Sequence, residues 1–113
     1  MTNAKIRIIG ITVTATALIA ANLLIAPARS EDKSAGLYKQ KCAACHGADG
    51  KADTPTGKSM KVRAFSDPAV TKMSDEDLAA VIDKGKGKMP GYSKSMKPDE
   101  IKAMVAFVRS LAK

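Results

Sequence analysis

Tryptophan is absent from this chain of 113 residues, and the other aromatics are only two tyrosines and two phenylalanines. Cysteine is limited to Cys42 and Cys45, and histidine to His46. Those three side chains cannot supply the four ligands of a structural zinc site. The scarcity of aromatics argues against nucleic-acid binding, whatever the positive charge suggests. No segment alternates apolar and polar residues at the strand period, and no internal repeat is visible, which points to an all-α domain. The absence of strands also removes the βαβ context that a Cys-X-X-Cys thiol oxidoreductase needs.

Acidic residues are missing from positions 1–28, where Lys5 and Arg7 precede an uncharged run from Ile8 to Ala26. Ala26-Pro27-Ala28 then offers small residues at the positions a signal peptidase reads. Residues 1–28 are therefore expected to be a signal peptide cleaved after Ala28, with an uncleaved anchor as the alternative. The run at 8–26 is long enough to span a bilayer but is diluted by Thr12, Thr14, Thr16 and Asn22. Either way the remainder is expected outside the cytoplasm, in the periplasm. Setting aside Lys5 and Arg7 leaves 17 basic against 11 acidic residues, a formal +6 for residues 29–113. So small a domain often needs a staple, and a single disulfide would be a modest one.

What the chain does contain is Cys42-Ala43-Ala44-Cys45-His46. Two thiols at this spacing, followed by an imidazole, form the attachment signal for c-type haem. Each thiol can add to a haem vinyl group, and His46 can ligate the iron. A covalently held haem would also staple the domain by burying a large apolar disc.

The flanking sequence reads as helices and loops. Arg29–Lys33 is expected to be a linker and 34–113 the domain, with Ser34 capping a helix that runs to about Cys45 and stops at Gly47. Gly36 inside that helix suggests a close crossing with the last helix. Ala48 to Val70 shows only turn signals, as of a loop wrapped around a cofactor edge. Ser74 caps a second helix that carries Leu78, Val81 and Ile82 on one face and ends at Gly85. A final helix starts at Pro98, with a stripe of Ile101, Met104, Val105, Val108 and Leu111.

The second axial ligand should come from a loop. Met89 lies in Gly85-Lys86-Gly87-Lys88-Met89-Pro90, where glycines allow close approach and Pro90 favours an extended Met89. Met60 is the runner-up and Met96 the third candidate, while Met73 and Met104 have places in helices.

From Ser34 to Lys113 these features together resemble the class I c-type cytochromes, specifically the small monohaem bacterial proteins. The resemblance implies a cytochrome c fold, three to four helices and loops around one covalent haem c. It implies a glycine–aromatic contact between the first and last helices, here Gly36 and Phe107. It also implies a proline carbonyl facing the His46 ring, for which Pro55 is the candidate. The expected function is one-electron transfer in a respiratory chain or similar pathway, not enzymatic catalysis, by a monomeric protein. The competing readings are a haem protein with an open sixth site, acting as gas sensor or peroxidase, and a thiol oxidoreductase. Lys84, Lys86, Lys88, Lys94 and Lys97, with Lys51, Lys58, Lys61 and Arg63, would suit redox partners with acidic docking surfaces. Arg63 and Lys58 are also candidates to meet haem propionates.

Overall fold

A computed structural model describes residues 28–113 of the chain. The expected signal peptide, apart from Ala28, lies outside the described residues. Among them the architecture is all-α: six helices and one two-residue antiparallel pairing.

Helix α1 spans Ala28–Lys41. It starts earlier than Ser34, and the expected linker at 29–33 is its first part. Arg29, Glu31 and Lys33 are good helix formers with no breaker among their neighbours, so propensity carries the helix through them. Lys33 is also tied to Glu100 at 2.7 Å. Ser34 is no cap but a buried residue within the helix, 5% exposed, one turn from Tyr38. A break at Cys42 separates α1 from the single turn of α2, Ala43–His46, which Gly47 closes by donating its N–H to the Ala43 carbonyl.

The stretch from 48 to 70 is not one loop. It holds α3, Pro55–Met60, and α4, Pro68–Thr71. Thr54 and Asp67 cap them, their side-chain oxygens accepting from Gly57 N–H and Ala69 N–H respectively. Thr-Pro and Asp-Pro, read as turn signals, are here an N-cap followed by proline at the first helical position.

Helix α5, Asp75–Lys84, has Ser74 as its cap, with Leu78 and Ile82 buried. Gly85, at φ +78°, ends it and begins β1, Gly85–Lys86, which pairs with β2, Met89–Pro90. A Cβ at Gly85 would stand 2.5 Å from the Met89 carbonyl oxygen, so only glycine lets the two strands meet here. Helix α6, Pro98–Leu111, buries Ile101, Met104, Val105 and Val108 as its stripe requires. The Glu100 carboxylate accepts from the Lys97 N–H at 2.9 Å, closing its first turn.

Helix α6 packs on both α1 and α5. The expected contact of Gly36 with Phe107 is not made, for Gly36 is exposed and a Cβ there would meet nothing within 4 Å. Tyr38 takes that place, its ring 5.2 Å from that of Phe107. The helix phase explains the exchange: Ser34 and Tyr38, four apart, share the inward face that Gly36 lies away from.

Candidate haem site

Cys42, Cys45, His46 and Met89 all line one cavity of about 560 Å³. Its walls are mostly apolar, including Phe65, Leu78, Ile82, Met104 and Val108 from the loop after α3 and from α5 and α6. The two thiols reach it because α1 breaks at Cys42 and restarts as α2, carrying Cys45 and His46 on the next turn. Both are free cysteines, half-buried. Burial pushes the Cys42 thiol up, against a smaller lowering effect from Lys41. A redox-active cysteine is normally shifted the other way.

His46 is held through its backbone. Its N–H donates to the Cys42 carbonyl at 2.9 Å, and its carbonyl accepts from Ala52 N–H at 2.8 Å. Burial pushes its pKa down and favours the neutral imidazole that a metal requires. Nδ1 is buried without a hydrogen-bond partner among the described residues, so the expected bond to the Pro55 carbonyl is absent. Pro55 instead opens α3. Against the ring lies Phe65, stacked at a centroid distance of 4.8 Å and 25° between planes.

Hydroxyls latch the surrounding backbone. Tyr38 donates to the Gly47 carbonyl at 2.6 Å, directly after His46. Thr54 Oγ1 lies 2.9 Å from the Ala44 carbonyl and 3.1 Å from that of Cys45, tying α2 to the start of α3. Tyr92 Oη donates to the Lys41 carbonyl at 2.9 Å, which fastens the segment after Met89 to the end of α1. No motif marks these residues. A tyrosine just before the Cys-X-X-Cys pair and another after Met-Pro were the only available signals.

The methionine candidates separate by position. Met89 is half-buried in the cavity wall. Met60 also lines the cavity but is 41% exposed. Met96 is 4% exposed in the core and does not line it. Lys41, Lys61, Arg63, Lys86 and Lys88 are the charged lining residues, with no carboxylate among them. Lys58 is not in the wall and pairs with Asp53 at 2.7 Å.

A flat apolar macrocycle with a metal centre suits this site. The cavity is apolar, two thiols stand in its wall, and a neutral imidazole and a thioether provide an N and an S donor. No helix among the described residues is long and apolar enough to cross a membrane.

Residues 29–108 match the family described as cytochrome c oxidase, cbb3-type, subunit III. Among solved structures, the KustC0563 c-type cytochrome is similar, with 35% sequence identity and a TM-score of 0.65, over 71% of this chain and 98% of that one. No curated protein sequence matches the chain.

Proposed function

This chain belongs to the class I c-type cytochromes, whose cofactor is haem c, and from that premise we propose that it is an exported one-electron carrier with a single covalent haem between His46 and Met89. The observation that carries the reading is the convergence of Cys42, Cys45, His46 and Met89 on one apolar cavity. Haem iron, when bound, supplies a ferrous–ferric couple whose potential a His/Met ligand pair raises.

The chain's own residues have separate tasks. Cys42 and Cys45 would attach the macrocycle as thioethers, and the raised thiol pKa of Cys42 does not favour thiol exchange. His46 offers a neutral nitrogen on one side. Met89 closes the other, and its loop is held by Tyr92 on Lys41. Apolar side chains from α5 and α6 keep water from the ring, which limits reorganisation when charge changes. Lys41, Lys61, Arg63, Lys86 and Lys88 give the cavity a positive rim that would guide an acidic redox partner to it. Lys61 and Arg63 replace the pair Arg63 and Lys58 as candidates for the haem carboxylates, because Lys58 is engaged elsewhere. With both His46 and Met89 bound to the iron, no position would remain for gas or peroxide. Export through the segment at 1–28 would bring the chain to the periplasm.

The deciding experiment is ligand replacement in the holoprotein. Met89→Ala should abolish the methionine–iron charge-transfer absorption, lower the reduction potential and let carbon monoxide bind the ferrous form. Met60→Ala should leave all three unchanged. If Met60→Ala has these effects and Met89→Ala does not, the axial assignment is wrong.

A further inference from the structure

An axial histidine needs more than a fixed backbone, because the bond between its ring and Cβ can still turn. A hydrogen bond from the second ring nitrogen usually stops that rotation. Among the described residues that restraint is missing: His46 Nδ1 is buried and has no hydrogen-bond partner there. The group that meets the ring face is Phe65, at 4.8 Å and 25°.

Phe65 is built to stay there. It is 7% exposed, and its N–H donates to the Gly50 carbonyl at 2.9 Å. Gly50 makes room for it, since a Cβ at that position would stand 2.5 Å from Phe65 Cδ2. Tyr38 adds an edge contact at 6.2 Å, and is itself anchored to the Gly47 carbonyl. The loop after α3 therefore delivers a rigid aromatic plate to the imidazole. Stacked rings favour offset, near-parallel planes, so a fixed plate imposes a plane on its neighbour.

We propose that Phe65 is the positioning residue that sets the plane of the His46 imidazole, in the role that a hydrogen-bond acceptor on Nδ1 would otherwise fill. The inference rests on His46 being an axial ligand. Its consequence would be electronic: with haem bound, the imidazole plane, together with the orientation of Met89, would govern how the unpaired electron of the ferric iron is spread over the ring. It therefore sets the spread and order of the four haem-methyl shifts in the proton NMR spectrum. Without the plate, the ring would average over several orientations.

Two measurements on the holoprotein test this. In the wild-type ferrous protein, nuclear Overhauser contacts between Phe65 ring protons and the His46 imidazole should be present. Their absence, with the imidazole protons shifted as an axial ligand's must be, overturns the proposal while leaving His46 ligation standing. Imidazole protons without the haem's shift would instead overturn the ligation itself. In the ferric protein, Phe65→Leu should compress and reorder the haem-methyl shifts, and Phe65→Tyr should keep the wild-type pattern. A role in packing alone would lower stability in Phe65→Leu without changing the shift order, and that result sinks the proposal.

Discussion

Tyr38 shows how one side chain joins the helix to the site. Its phenol is buried and donates to the Gly47 carbonyl, and its ring touches both Phe65 and Phe107. Burial is the main cause that raises its pKa above the ordinary 10.0, with smaller contributions from Cys42, as long as its thiol is free, and from Asp49. A group raised on folding favours the neutral form in the native state. Its stabilisation is complete below about pH 10 and is lost as pH climbs from the unfolded value towards the folded one. The wild-type protein should therefore lose stability above pH 10. Tyr38→Phe should cost about 1 kcal/mol at neutral pH for the lost hydrogen bond, yet decline less steeply in alkali. Denaturant midpoints at pH 7 and at several alkaline values check this, and parallel slopes would contradict it.

At the scale of elements, the haem-facing walls depend on how α6 grips what precedes α5. Arg109 near the end of α6 donates from Nε to Asp75 at 3.0 Å, and to the carbonyls of Met73 at 2.6 Å and Thr71 at 3.3 Å. These are the last residues of α4 and the chain entering α5, whose carbonyls would otherwise lack partners. The planar guanidinium reaches three acceptors from three separate nitrogens held in a fixed fork, a spread that a lysine's single, compact ammonium does not match. Arg109→Ala should destabilise the holoprotein by about 2 kcal/mol, and Arg109→Lys should recover less than half. Chemical unfolding followed by circular dichroism reads both. Full recovery by lysine would reduce the clamp to a surface ion pair. The paired strands β1 and β2 carry a similar lesson. A two-residue pairing has little stability of its own, and Gly85 with the Tyr92 bond to Lys41 holds Met89 at the wall.

For the molecule as a whole, charge is distributed by location. The first turn of α5 carries Asp75, Glu76 and Asp77, while the cavity rim carries five cations and no carboxylate. A uniform +6 would raise encounter rates in all orientations, but a rim of one sign would, under the proposed function, select the orientation that brings the haem edge forward. Replacing Lys86 and Lys88 together by glutamate should slow bimolecular electron transfer to an acidic redox partner about tenfold at low ionic strength. The difference should close in high salt as the Debye length shrinks. Stopped-flow rates across a salt series would show this convergence, and equal rates at low salt would remove the steering role.

Cys42-Ala43-Ala44-Cys45-His46 and the three long helices were legible because a covalent motif and apolar periodicity are local properties. The cap at Ser74, the start of the last helix at Pro98, and the stops at Gly47 and Gly85 could be read for the same reason. The start of α1 could not, since Arg29–Lys33 is polar in either conformation and its helix gains support from α6. Helices α3 and α4 were hidden by prolines that serve turns and helix starts alike. Which α1 residue meets Phe107 depends on helix phase against a distant partner, and the family resemblance pointed to Gly36 where the fold uses Tyr38. The stacking of Phe65 on His46 is a contact between residues 19 apart in the chain, fixed by loop packing around Gly50. The sequence by itself determined which groups can bind a haem. Only the tertiary structure decided which side chains hold them in place, because that depends on contacts far apart in the chain.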